Sequence, residues 1–121
     1  MIVAGFGFRA NATLASFQSA LEAATGGGTA IAALATLDRK STQLTPFADH
    51  LSLPLITVAP DRMTRQTTLT RSRQSLAAHG TGSVAEAAAL AAAGPGARLL
   101  APRAISRDHL ATCALAEGVP A

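Results

Sequence analysis

The sequence contains no tryptophan and no tyrosine, and only four phenylalanines. That removes the aromatic platforms on which proteins stack single-stranded nucleic acid, so a nucleic-acid partner would rest on charge alone. The one cysteine, Cys113, has no partner for an internal disulfide. No Cys/His pair has metal-ligand spacing, so a buried, inert thiol and no bound metal are expected. No apolar run reaches the roughly 18 to 20 residues that cross a bilayer, and no basic region precedes the short apolar N-terminus. A cytoplasmic protein with no membrane partner is therefore expected. Charged residues make up only 14% of the chain against 49% apolar, much of it alanine. Such a chain collapses rather than persisting as a solvated tail. Its 121 residues suffice for one core, and a single domain spanning 1–121 is expected.

What charge there is runs positive. The net charge of +3 comes from nine arginines and one lysine. Arginine suits bidentate recognition of carboxylate or phosphate. Arg62, Arg65, Arg71 and Arg73 fall in a stretch that holds no acid beyond Asp61, and this reads as an exposed, solvated basic loop or as an anion clamp.

Along the chain, strand-like and helix-like pieces alternate. MIVAGF, residues 1–6, is a short apolar run, and Gly5 and Gly7 read as a tight strand exit. Leu14, Phe17, Leu21 and Ala24 recur at helical spacing, with Asn11 or Thr13 as N-cap and Gly26-Gly27-Gly28 as the stop. AIAALATL, residues 30–37, is expected as a second strand. Thr45 is placed to cap a helix with Pro46 at its first position, and LITV after Pro54 reads as a third strand. A short helix is expected over 70–78, and a second over 83–93, closed by Gly94-Pro95-Gly96. ARLLAP, residues 97–102, reads as a fourth strand. HLATCALA, residues 109–116, fits helix or strand, and strand is the expectation. The pattern predicts an α/β fold, a three-layer α/β/α sandwich with a mostly parallel or mixed sheet of about five strands. Ligands of such sheets bind beyond the carboxyl ends of the strands.

Two loops carry suitable chemistry. Gly5, Gly7 and Ala10 satisfy G-x-G-x-x-A after a strand, the weak form of a dinucleotide fingerprint; the expected acid about 20 residues on is missing. Arg9, just past the strand, reads as an anion contact or a local ion pair. In HGTGSVAEAAAL, residues 79–90, Ser83 and Glu86 fit a capping box, the hydroxyl accepting from the N3 amide and Glu86 reaching back to the Ser83 amide. Gly80, Thr81 and Gly82 place backbone amides ahead of a positive helix end, a seat for carboxylate or phosphate. His79 is given no role.

GFGFR at 5–9, TLDRK at 36–40, GTGSVAEAAAL at 80–90, LLAPR at 99–103 and TCALA at 112–116 together resemble the CobE family, equivalent to the C-terminal domain of CbiG in cobalamin (vitamin B12) biosynthesis. The resemblance runs in order over nearly the whole chain, and 80–90 is its most specific block. It implies an α/β/α domain and a place on the cobalamin route, where CbiG opens a ring lactone and releases acetaldehyde. CobE is the stand-alone form of the aerobic branch, with an assisting or binding role. The chain carries no N-terminal CbiG portion, so the stand-alone form is expected. The family's K-x-x-E becomes Lys40 followed by Gln43, which lowers the expectation of lactone hydrolysis. The family's Pro-Lys becomes Pro102-Arg103, and Phe8 stands where cysteine is common, so no thiol chemistry is assigned there.

Corrinoids are macrocycles fringed by carboxylates, which call for several cations and amides around an apolar floor. The expected contacts are Gly5, Gly7, Arg9, Lys40, Thr81, Gly82, Ser83 and Arg103, with Phe6 or Phe8 against the ring face. No cofactor is expected; the partners are a corrinoid or precorrin and other enzymes of the pathway, with no nucleic acid. An enzyme reading would make Glu86 a general base for lactone opening. A nucleotide or nucleic-acid domain is the other alternative.

Overall fold

A computed structural model describes residues 1–119. In chain order the elements are β1 (Ile2–Phe8), α1 (Leu14–Thr25), β2 (Ala33–Leu37), a 3-10 turn (Asp38–Lys40), α2 (Ser41–Leu51), β3 (Leu55–Val58), α3 (Pro60–Thr64), α4 (Arg73–His79), α5 (Val84–Ala93), β4 (Arg98–Leu99), β5 (Ala104–Ile105) and β6 (Ala111–Glu117). One sheet has the order β3-β2-β1-β6-β4, with β5 also paired on β6. β1, β2 and β3 are parallel, whereas β6 runs antiparallel to β1, β4 and β5. The sandwich is the expected one, with six strands instead of about five.

Strand alternation sends successive side chains of β1 to opposite faces. Ala4, Phe6 and Phe8 point to one face and pack with Phe17 of α1 and Leu44 and Phe47 of α2. All four phenylalanines meet there, with ring centroids 4.9 to 6.1 Å apart in neighbouring pairs. Val3 points to the other face and packs with Val84, Ala87, Ala88 and Ala91 of α5. Gly5 lies on that face too, and a β-carbon there would fall 2.1 Å from the Ala85 carbonyl oxygen and 2.5 Å from the Ala89 nitrogen. The alanine-rich helix therefore rests directly on the backbone of β1. This corrects the tight strand exit read into Gly5 and Gly7: both lie inside the strand, which continues to Phe8.

Other boundaries moved for local reasons. Thr13, not Asn11, caps α1, and Gly26 ends it at φ 63°. α2 starts at Ser41, so Pro46 lies inside it. Thr45 does not cap; its hydroxyl donates to the Ser41 carbonyl one turn back, 2.8 Å away. The expected fourth strand shrinks to Arg98–Leu99, and β5 appears beside it as a pair too short for alternation to reveal. The basic stretch is not wholly a free loop. It includes the end of α3, where Met63 is buried, and Arg62 donates to the Ala91 carbonyl at 2.6 Å. Cys113 is buried as expected, and burial pushes its thiol pKa up.

Ser83 caps α5, accepting from the Glu86 amide at 3.2 Å. The second half of the expected capping box is absent, because the Glu86 carboxylate is used elsewhere. One oxygen accepts from the Leu69 and Thr70 amides at 2.6 and 2.8 Å; the other accepts from the Thr70 hydroxyl and, at 2.9 Å, from the Arg103 amide. Glu86 is fully buried. Burial alone would raise its pKa, but the Thr70 hydroxyl and the amides of Thr70, Arg103 and Leu69 together outweigh burial and lower it. One carboxylate thus ties the loop before α4 and the residue before β5 to the start of α5.

Two stability predictions follow from this packing. Gly5→Ala forces the α5 backbone away from β1 and should cost about 1 to 3 kcal/mol or more, measured by urea unfolding; an unchanged midpoint would contradict the close approach. Glu86→Gln turns an amide group toward backbone N–H donors and should cost about 2 to 4 kcal/mol at neutral pH. A lowered folded-state pKa means that the carboxylate's contribution is complete above the ordinary value of 4.5 and lost as pH falls through the folded value. The gap between wild type and Glu86→Gln should therefore close in acid, and a gap independent of pH would refute the assignment.

Candidate binding cleft

The carboxyl ends of β1 and β2 lie at the same end of the sheet as the start of β6, since Phe8 pairs with Ala111. The start of α5 is there as well, with Val84 against Gly7. A cleft of about 460 Å³ opens at this end, lined by residues that follow β1 and β2, by α4, by the start of α5 and by the segment from Arg103 to Thr112. Arg9, Lys40 and Arg103 all line it, as do His79 and His109, and among the described residues no acidic one does. Val84, Ile105 and Leu110 supply apolar surface.

Each cation hangs from fixed backbone. The Arg9 amide donates to the Leu110 carbonyl at 2.9 Å, which joins the exit of β1 to the entry of β6. The Arg103 amide is held by Glu86. Lys40 is half-buried; its ammonium donates to the Phe8 carbonyl and stands 4.9 Å from the Phe8 ring centroid. Burial, and then the neighbouring Arg39 charge, lower its pKa. The wall formed by α4 has no buried residue and presents Ser72, Gln74, Ser75 and His79.

Of the contacts expected from sequence, Gly7, Arg9, Lys40 and Arg103 come together here. Gly5 does not; it is covered by α5. Thr81, Gly82 and Ser83 are buried behind the segment before α4, where Ser72 donates to the Gly82 carbonyl at 2.9 Å, and a β-carbon on Gly82 would lie 2.2 Å from the Thr70 oxygen. The helix start therefore reaches the cleft through Val84. Phe6 is buried in the core cluster away from the cleft, whereas Phe8 belongs to that cluster and also lines the cleft. The arginines of the basic stretch do not line the cleft, although Ser72 and Gln74 beside them do. Sequence reasoning passed over His79 and His109. His79 precedes the helix-ending Gly80, and His109 occupies a left-handed turn at φ 62°; its place beside Asp108 in a tight turn was the available signal.

Comparison with known proteins agrees with this architecture. The family model described as cobalamin synthesis G C-terminus matches residues 2–116. The crystal structure of CobE, a protein from the cobalamin (vitamin B12) biosynthetic pathway, is 32% identical with a TM-score of 0.85 over 96% of this chain and 92% of that one. The cobalamin biosynthesis protein ChiG from Agrobacterium tumefaciens is 37% identical with a TM-score of 0.76 over 99% and 100% of the two chains. A cobalamin biosynthesis protein G homologue from Sulfolobus solfataricus shares the fold at 19% identity and a TM-score of 0.71, with 95% of this chain matching 36% of that one. No curated protein matches by sequence. Among the described residues no helix is long and apolar enough to cross a membrane. With the family match running from β1 to the end of β6, the chain belongs to the cobalamin synthesis G C-terminal family and is a protein of cobalamin biosynthesis.

Proposed function

We propose that the cleft binds a corrinoid or precorrin intermediate through its peripheral carboxylates, and that the protein acts as an accessory binder or carrier for that intermediate. The observation that carries this reading is the lining: three cations converge on one cleft that, among the described residues, no acid lines. Guanidinium groups offer paired N–H donors that match a carboxylate, so Arg9 and Arg103 are the direct contacts. Lys40, already held by Phe8, adds positive field and its remaining N–H donors. At about 460 Å³ the cleft suits one carboxylate-bearing edge of a macrocycle, with Val84, Ile105 and Leu110 against its apolar part.

A lactone hydrolase is the second reading. It needs a base open to water, and Glu86 is fully buried with both oxygens accepting hydrogen bonds. Its lowered pKa also makes it a weak base. Binding without hydrolysis fits these facts better.

The test is titration with hydrogenobyrinic acid, followed by its chromophore. Arg9→Ala, Lys40→Ala and Arg103→Ala should each weaken binding about two- to fivefold, the scale of exposed ionic contacts. Unchanged affinity in all three would remove the proposal. Acetaldehyde released from a lactone-bearing precorrin by the intact protein would establish the hydrolase instead.

A further inference from the structure

His79 ends α4 and lines the cleft. Its Nδ1 lies 2.7 Å from a terminal nitrogen of Arg39. A guanidinium only donates and does not lose its proton in proteins, so Nδ1 must be the acceptor. A histidine that accepts at Nδ1 is neutral and carries its single ring proton on Nε2. Burial, followed by the Arg39 and Lys40 charges, lowers its pKa from 6.5, which agrees with a neutral ring. The Arg39 contact is the only side-chain hydrogen bond of His79 among the described residues.

We infer that His79 is a fixed neutral donor of the cleft, whose Nε2–H hydrogen-bonds a carboxylate or carbonyl oxygen on the periphery of the bound ligand. This rests on the reading of the cleft as a corrinoid site and adds a recognition residue to it. Metal-ligating histidines ordinarily donate their second ring nitrogen to a carboxylate or carbonyl, which raises their basicity. Here the second nitrogen accepts from a cation, and the nitrogen left over has no lone pair for a metal. His79 therefore meets the edge of the macrocycle as a hydrogen-bond donor and not as a metal ligand.

The Arg39 contact also fastens α4, which has no buried residue, to the turn after β2. Two substitutions separate fastening from donation. His79→Asn places an acceptor near the Nδ1 position and removes the distal donor; His79→Gln places an N–H donor near the Nε2 position and loses the Arg39 acceptor. With hydrogenobyrinic acid as probe, His79→Gln should bind within about twofold of wild type, and His79→Asn should weaken about tenfold, as expected for a lost hydrogen bond to a charged group. Nitrogen-15 spectra of the unliganded protein in mild alkali should show the proton on Nε2. The reverse order of affinities, equal affinity in both variants, or a proton on Nδ1 would overturn the inference. If Arg103→Ala weakens binding while both His79 variants match wild type, the cleft reading survives and this inference falls. If the wild type does not bind the probe, both fall.

Discussion

The close seating of α5 on β1 is the contact from which the rest of the molecule is built. Gly5 has no side chain to hold the helix off, and α5 presents mostly alanine to it. The helix therefore lies on the strand backbone, which fixes the height of Ser83 and Glu86 above the sheet. From there Glu86 reaches the Leu69 and Thr70 amides on one side and the Arg103 amide on the other. Both walls of the cleft thus take their positions from one helix. If α5 were raised, the carboxylate would leave its donors, and the Arg103 amide would lose its acceptor.

The order of charge at the cleft follows from this frame. None of the three cations has a side-chain carboxylate partner among the described residues, and the ion pairs that exist, Arg65 with Asp61 and Arg98 with Glu117, lie away from the cleft. Glu86, which holds the Arg103 amide, accepts from amide and hydroxyl donors instead of from arginine, and Asp108, which accepts from the Leu110 amide, is bonded to serine hydroxyls. Arg9, Lys40 and Arg103 thus line the opening with no carboxylate paired to any of them among the described residues. Arg39 adds to it while spending one donor on His79. A ring fringed with carboxylates would meet donors of three kinds here: guanidinium, ammonium and imidazole.

Much of this was legible from the residues. Helical spacing and caps marked α1 and α5, because Thr13, Ser83 and the glycine stops act locally. Alternating strands and helices gave the three layers. The two-residue strands β4 and β5 were not legible as such, since their pairing depends on β6 alone and leaves no periodic signal. Gly5 and Gly7 misled for a physical reason: glycine at a turn and glycine under a helix are identical in sequence, and only the partner, the alanine face of α5, distinguishes them. Glu86 misled similarly. Its spacing from Ser83 is that of a capping box, but the competing donors come from residues 69, 70 and 103. Arg9 was legible because a residue just past a parallel strand lies at the ligand-binding end of a sheet, whereas Lys40 and Arg103 were legible only through the resemblance to the CobE family. His79 was not, because its role depends on Arg39, forty residues away.

The two faces of the sheet are filled by opposite means, phenylalanine on one and alanine on the other. Over evolutionary drift this gives each face its own forbidden direction. The phenylalanine side suffers when volume is lost, and the α5 side suffers when volume is gained. A chain of this fold can therefore trade bulk freely only at its rim, where the residues that line the cleft also lie.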